Sequence, residues 1–113
     1  MKITLPWPSA KLSPNARGKW AKKDGDRNAA RSAGYWAAKE SGVGPDGFQF
    51  SEMALTFHPP DRRRRDLDNM LASCKAAIDG VSDACKCDDH KCDRVTLERG
   101  QPMKPACVVL VLK

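Results

Sequence analysis

The sequence predicts an α+β fold, in which helices pack on one small mixed β-sheet. Three patterns predict it. Apolar residues alternate with polar or small ones from Met53 to Phe57, as in a half-buried strand. The run ACVVLVLK at 106–113 has the apolar character of a buried strand. Apolar side chains also recur at helical spacing at Ala29, Ala33, Trp36 and Ala37. With 113 residues, the chain is predicted to form a single domain over 1–113.

Each predicted element has a local reason for its ends. Pro6 and Pro8 end the first strand, because proline cannot donate a hydrogen bond to a sheet. Gly42 ends the first helix, and Asp68 or Asn69 is a favourable N-cap for the second. The buried face of the second helix is predicted to comprise Met70, Leu71, Cys74, Ala77, Ile78 and Val81. The elements in order are a strand at 2–5, a helix at about 26–41, a strand at 48–57, a helix from 68 or 69 past Ile78, a strand around Val95 and Leu97, and a strand at 106–113.

The charge of the chain predicts a polyanionic partner. Its formal net charge of +6 favours either a nucleic acid or an anionic membrane surface. No apolar run approaches the roughly 20 residues of a membrane span. The opening residues MKITLPWPSAK do not resemble a secretory signal, so we expect a cytoplasmic protein. The five cysteines are an odd number, and in a reducing cytosol they are expected to be thiols.

The stretch DRRRRDLDN, from Asp61 to Asn69, sets a block of positive charge directly against a pair of acids. The arginines are Arg62, Arg63, Arg64 and Arg65, and the guanidinium fork suits phosphate oxygens. In an extended chain they alternate sides, so two of the four are predicted to contact phosphates beside the acids. A solvated basic edge strand and a localisation signal are the alternatives.

Asp66 and Asp68 are two residues apart, which places both carboxylates on one face of an extended segment. Such a pair repels itself unless a cation lies between, and hard oxygen ligands favour Mg²⁺. Asp88 and Asp89 are predicted to fold back and complete this site. The alternative is that the acids cap the helix and balance the arginines.

Other basic residues are predicted to assist. Lys75 shares one helical face with Asp68, about 10 Å along the axis, where it could stabilise charge developing on a phosphate. The alternative for Lys75 is a solvated surface residue. A loop rich in Pro, Ser, Asn and Gly follows the first strand, and it and the residues just after it contribute predicted DNA-binding cations at Lys11, Arg17, Lys19, Lys22 and Lys23.

The cysteines permit a second reading. Cys85, Cys87, His90 and Cys92 supply four soft ligands of the kind that bind Zn²⁺. Their spacing does not fit a familiar zinc finger, and alternating cysteines also pack one face of a strand.

The segments PPDRRRRDLDNMLASCKAAIDG and ITLPWPSAKLSPNARGKW, with the DD pair at 88–89, closely resemble the RusA family of Holliday junction resolvases. The resemblance covers nearly the whole chain. It implies a small α+β homodimer, phage- or prophage-encoded, that nicks two strands of a four-way or branched DNA symmetrically. It implies Mg²⁺, with Mn²⁺ as a substitute, and neither a membrane nor a small-molecule cofactor.

The resemblance also implies roles for individual residues. The metal-binding acids of the family match Asp66, Asp68 and Asp89, with Asp88 as an alternative, and Asn69 falls within the motif. A catalytic lysine of the family matches Ala72, and Lys75 resembles the substitute in similar phage proteins. The other function class that the sequence leaves open is a non-catalytic basic DNA-binding module, with a structural acid or zinc cluster.

Overall fold

The computed structural model describes residues 1–14 and 23–113, and of Lys23 and Asp89 it describes the backbone alone. Within these described residues there are four strands and three helices, with two short 3-10 helices at Ala10–Leu12 and Asp89–Lys91. The strands are β1 (Lys2–Pro6), β2 (Glu52–His58), β3 (Arg94–Arg99) and β4 (Cys107–Leu112). The helices are α1 (Lys23–Glu40), α2 (Leu67–Ser73) and α3 (Lys75–Cys85). The predicted α+β class is confirmed.

The four strands form one mixed sheet in the order β1-β4-β2-β3. β4 runs antiparallel to both β1 and β2, whereas β2 and β3 are parallel. Parallel neighbours need a crossover connection, and α2 and α3 provide it. The loop before α2 therefore lies at the end of β2, and the turn after α3 lies at the start of β2 and β3.

One face of the sheet carries the core. In β2 and β4 every second residue is buried and the residues between are half-buried, as the period of a strand requires. Leu55 of β2 and Leu110 of β4 lie opposite each other and are completely buried. The terminal strand is therefore buried on one face only, because the helices cover one side of the sheet. No helix within the described ranges has the length and apolar character needed to cross a membrane.

Helix α1 packs through a different face from the one that was predicted. Trp36 was expected in the apolar stripe, yet it is 60% exposed. Gly34 and Gly80 form the close contact instead. A Cβ on Gly34 would lie 2.0 Å from the carbonyl oxygen of Ala77, and one on Gly80 would lie 1.9 Å from that of Arg31. Because the backbones of α1 and α3 approach so closely, the glycine face of α1 is buried and the tryptophan is turned outward.

The predicted second helix is two helices. α2 ends and α3 begins at Cys74, whose ψ of −3° departs from helical geometry. The hydroxyl of Ser73 donates to the carbonyl oxygen of Asn69 at 2.9 Å. A serine that hydrogen-bonds four residues back competes with the helical ladder and bends helices. Asp68 and Lys75 consequently lie on different helices, and the prediction that they share one continuous helical face is wrong.

Candidate nucleic-acid interface

A groove of about 800 Å³ lies between the segment after β1 and the loop that joins β2 to α2. We call it the arginine groove; its chemistry is carried by Trp7, Arg63, Arg64, Arg65, Asp66 and Asn69. A second cavity of about 440 Å³ lies against the same loop and is lined by all four arginines and Arg99. The arginine run thus forms a wall between two concave surfaces.

Arg65 holds this wall in place. Its guanidinium forms an ion pair with Asp61 at 3.0 Å and donates to the carbonyl oxygen of Arg63 at 3.0 Å. Its Cζ also lies 5.5 Å from the centre of the Trp7 ring, a cation–π contact. Arg99 donates to the carbonyl oxygen of Arg65 at 3.1 Å. Only 21% of the Arg65 side chain is exposed, so this arginine orders the loop.

The other three arginines are presented to solvent. Arg62, Arg63 and Arg64 are all exposed. Asp61 fixes their backbone, since its Oδ1 accepts from the amide of Arg63 at 2.9 Å. The hydrogen bond from Arg65, followed by that from the Arg63 amide, lowers the pKa of Asp61. The structure thus separates one half-buried arginine that holds the loop from three that are exposed, and the prediction that two of the four contact phosphates stays a prediction.

Asp66 is the N-cap residue of α2 and lines the arginine groove. Its backbone is extended, and its side chain makes no capping hydrogen bond to the helix. Among the described residues, Oδ2 accepts one long bond of 3.4 Å, from the side-chain nitrogen Nδ2 of Asn69. The exposed carboxylate therefore projects beside the arginines, close to the positive end of a short helix.

Asp68 is placed differently from Asp66. The extended segment ends at Asp66, and Asp68 is already the second residue of α2. Helical residues two apart do not face each other. Asp68 is exposed but is not among the groove-lining residues. The prediction that an extended chain aligns the two carboxylates is therefore wrong, although both remain within the first turn of α2.

The 3-10 helix with Asp89 lies at the other end of β2. Asp88, just before it, is exposed and lies 3.8 Å from His90. The amide of Asp93 donates to Ser51, which ties this turn to the start of β2. The seven residues of β2 span about 20 Å, so one chain does not fold Asp88 and Asp89 back to Asp66. Within the described side chains, which exclude that of Asp89, no three His, Cys, Asp or Glu residues are grouped closely enough to hold a metal ion.

The predicted lysines are distributed around this surface. Lys75 begins α3 and forms an ion pair with Asp79 at 3.1 Å. Lys11 lies in the 3-10 helix after β1, is exposed, and approaches Asp26 at 4.0 Å. Lys23 is the first residue of α1. Arg17, Lys19 and Lys22 lie outside the described residues.

The cysteines belong mainly to the core. Cys74, Cys85 and Cys87 are buried, and Cys87 donates its thiol to the carbonyl oxygen of Phe50 at 3.7 Å. Burial raises the pKa of Cys74 to about 12, and burial first, with Cys87 second, raises the pKa of Cys85. Cys92 is half-buried and His90 is exposed. Cys85 and Cys87 therefore pack in the core, but from the end of α3 and the turn after it, so the prediction that they share one face of a strand is wrong.

Three residues that hold Arg65 in place were missed by sequence reasoning. The ring of Trp7 and the carboxylate of Asp61 contact the guanidinium of Arg65, and Arg99 donates to the backbone carbonyl oxygen of Arg65. Asp61 carried a signal, because it precedes Arg65 by four residues. Trp7 and Arg99 carried none, since only the folded chain brings them to the arginine run.

An uncharacterized protein of Xylella fastidiosa (strain Temecula1 / ATCC 700964) is 38% identical to this chain over 94 residues. That similarity covers 79% of this chain and 60% of the relative, so the chain spans about three fifths of the relative's length. No family model matches the chain.

Proposed function

We propose that this protein is a Mg²⁺-dependent, structure-specific endodeoxyribonuclease of the RusA type that nicks four-way or branched DNA. One observation carries the proposal. The arginine groove places the exposed carboxylate of Asp66 in the same wall as Arg63 and Arg64. Phosphodiester hydrolysis needs cations that hold the DNA backbone beside an acid that holds a metal ion.

The binding half of this activity belongs to the exposed arginines. Guanidinium groups bind phosphate oxygens in a bidentate fashion and position the backbone without reading the base sequence. Arg62, Arg63 and Arg64 are exposed on a loop that Arg65 and Asp61 hold in shape. The net charge of +6 adds a long-range attraction for DNA.

The residues of the groove fit Mg²⁺. Asp66 offers carboxylate oxygens that make no capping bond to the helix, and Oδ2 accepts a long bond of 3.4 Å from the side-chain nitrogen Nδ2 of Asn69. Mg²⁺ keeps several waters and takes only one or two carboxylates, so Asp66 with Asp68 or with one further acid is sufficient. When bound, Mg²⁺ or Mn²⁺ supplies a Lewis acid for the phosphate and an activated water. Without the ion, the carboxylate of Asp66 repels the phosphate that the arginines attract.

The proposed enzyme is a homodimer. A four-way junction presents two symmetry-related strands, and a two-fold dimer presents one site to each. The position of Asp88 and Asp89 gives a further reason. They lie beyond the start of β2, a strand about 20 Å long, whereas Asp66 lies beyond its end, so a site that contains all three acids needs the second protomer to supply that turn.

A direct assay tests the proposal. A labelled four-way junction and a linear duplex of the same sequence are incubated with excess protein, with and without Mg²⁺. We expect paired nicks in the junction with Mg²⁺, and none in the duplex or in the presence of a chelator. Equal cutting of the linear duplex would contradict structure specificity, and nicking that persists with the chelator would contradict the metal.

A non-catalytic DNA-binding module is the second candidate. It is favoured by the absence of any three-acid group among the side chains that the structure describes, and by the use of Asp61 to neutralise Arg65. Junction binding without nicking in Mg²⁺ or Mn²⁺ is the result that would support it. A bacterial cytoplasm, with a phage or prophage gene, is the setting that the nuclease proposal implies.

A further inference from the structure

The two edge strands of the sheet differ in how far they are buried. β1 forms one edge, and its core-facing residues Ile3 and Leu5 are almost completely buried. β3 forms the other edge, and five of its six residues are exposed. Val95 of β3 is 46% exposed, although its neighbour Met53 on β2 is only 5% exposed. The apolar face of the sheet therefore continues onto β3 but is not covered there.

An uncovered edge strand offers a row of backbone groups to another strand, and most proteins protect such edges. β3 contains no proline, and its six residues RVTLER are enough to pair with another strand. Arg94 and Glu98 are exposed, and the described part of the chain gives neither side chain an ion-pair partner. These features leave β3 open to pairing with a strand of complementary charge.

We propose that β3 pairs antiparallel with β3 of a second copy of this chain, in a register centred on Thr96. The sequence of β3 is self-complementary in that register. Arg94 lies opposite Glu98 of the second copy, and Val95 lies opposite Leu97 of the second copy. The two-fold axis repeats each pair. Both ion pairs then fall on one face of the sheet and both apolar pairs fall on the core face.

The neighbouring registers lack this complementarity. If the second strand slides by one residue, Arg94 lies opposite Arg99 of the second copy in one direction and opposite Leu97 of the second copy in the other. Either slide also removes the contact of Val95 with Leu97, which covers the exposed valine. Like charges directly opposite are unfavourable and apolar pairs are favourable, so the register centred on Thr96 is selected.

This inference rests on the homodimer of the proposed function and specifies its surface. It does not depend on nuclease chemistry, because the quantity measured is mass in solution. Antiparallel pairing also sets the start of each β3 against the end of the other. The turn at Asp89–Lys91 is thereby brought towards the end of the sheet where the partner's arginine groove lies.

Charge exchange tests the pairing. Arg94→Glu sets two glutamates opposite each other at both symmetric positions, and Glu98→Arg sets two arginines there. Each should raise the dimer dissociation constant on the order of 100-fold, and the double variant should restore it to within about 3-fold. Sedimentation equilibrium measures the mass, which for the parent should be twice 12.4 kDa. Thermal unfolding checks that every variant is folded.

Matched controls separate this edge from other surfaces. Lys2→Glu changes an exposed charge on the opposite edge strand, and Val109→Glu changes the uncovered face of β4; both should leave the mass unchanged. Loss of the dimer in either, or a double variant that stays monomeric, overturns the proposed pairing. A monomeric parent overturns both this pairing and the proposed dimer. A dimer that Arg94→Glu and Glu98→Arg leave intact overturns the pairing alone.

The register has its own test. In a background with Cys92→Ser and Cys107→Ser, Thr96→Cys sets two thiols opposite each other on the axis, within the reach of a disulfide. Mild oxidation should cross-link Thr96→Cys into a covalent dimer. Val95→Cys, which faces Leu97 of the second copy, should cross-link far less. Equal cross-linking at both positions would contradict the register.

Discussion

Arg64 and Arg65 are adjacent and chemically identical, but their surroundings assign them different tasks. Arg65 is pinned by Asp61, by the ring of Trp7 and by the carbonyl oxygen of Arg63. Arg64 is exposed on the wall of the arginine groove. The first should therefore act through stability, and the second through affinity for DNA.

Replacing these two arginines in turn separates the two tasks. Arg65→Ala should lower the melting temperature by a few degrees, because a cation–π contact alone contributes ~0.5–1 kcal/mol. Arg64→Ala should leave the melting temperature unchanged, weaken junction binding, and reduce the slope of log affinity against log salt by about 1. Lys2→Ala, on the far edge strand, is the control for loss of a charge. If Arg64→Ala instead unfolds the loop and Arg65→Ala does not, the assignment is reversed.

The ion pair of Asp61 predicts a pH dependence. Arg65 and the Arg63 amide lower the pKa of Asp61 in the folded chain, below its unfolded value of about 4. Its contribution to stability is therefore complete above pH 4 and is lost as the pH falls through the folded pKa. The stability difference between the parent and Asp61→Asn should be constant from pH 5 to 7 and should shrink below pH 4. Urea unfolding measures it, and a difference that grows on acidification would contradict this account.

The cysteines should divide into two reactivity classes. Cys74, Cys85 and Cys87 are buried, and the raised pKa of Cys74, about 12, keeps it a thiol at pH 8. Cys92 and Cys107 are half-buried. A thiol reagent at pH 8 should label these two in the folded protein and all five in denaturant. Rapid labelling of Cys74 in the native state would show that the core is not packed as described.

At the scale of elements, the helix layer depends on the contact between α1 and α3. Gly34→Ala would force a methyl group against the backbone of Ala77, and this backbone can move aside only if helix α3 moves with it. We expect a loss of ~3 kcal/mol, because overpacking against backbone is not relieved by a rotamer change. Gly25→Ala, in the same helix with open space around it, should be neutral or stabilise by up to ~1 kcal/mol. Chemical unfolding of the two variants gives the comparison, and equal stability would refute the close contact.

The same contact shows why some elements could be predicted from the sequence and others could not. The alternation of apolar and polar residues at 53–57 predicted β2, because every second residue of a strand points to the buried face of the sheet. Trp36 misled because the spacing of apolar residues does not reveal that two glycines make the closest approach. The bend at Cys74 was missed because Ser73 looks like an ordinary helical residue until its hydroxyl reaches Asn69. The periodicity of the strand predicted its buried face correctly, whereas the contacts between elements could not be predicted.

At the scale of the whole molecule, the candidate site was predictable only in part. The run from Asp61 to Asn69 is continuous in sequence, and so the arginines and Asp66 are neighbours in any fold. Asp88 and Asp89 follow the crossover helices, and only the topology shows that a crossover returns the chain to the start of β2. The separation of Asp66 from Asp88 and Asp89 is therefore set by the topology of the sheet and not by the local sequence.

A mixing experiment tests whether two protomers complete one site. Asp66→Asn and Asp89→Asn should each abolish nicking in a homodimer. Mixed and allowed to exchange, the two variants form a heterodimer in which one site carries both changes and the other carries neither. We expect junction nicking to return, at up to about half the parent rate. Activity that stays absent, although exchange is shown by a mass label, would contradict a shared site.

The central claim is that the carboxylate of Asp66 serves cutting and the arginines beside it serve binding. Its most direct test is Asp66→Asn, which keeps the shape of the side chain and removes its charge. Junction affinity is measured by gel shift in Ca²⁺, and single-turnover nicking is measured in Mg²⁺, with Asp46→Asn as an exposed control. We predict that Asp66→Asn binds as tightly as the parent or tighter, because a charge that repels phosphate is gone, and that it nicks at least ~100-fold more slowly. Nicking by Asp66→Asn at the parent rate would contradict the claim.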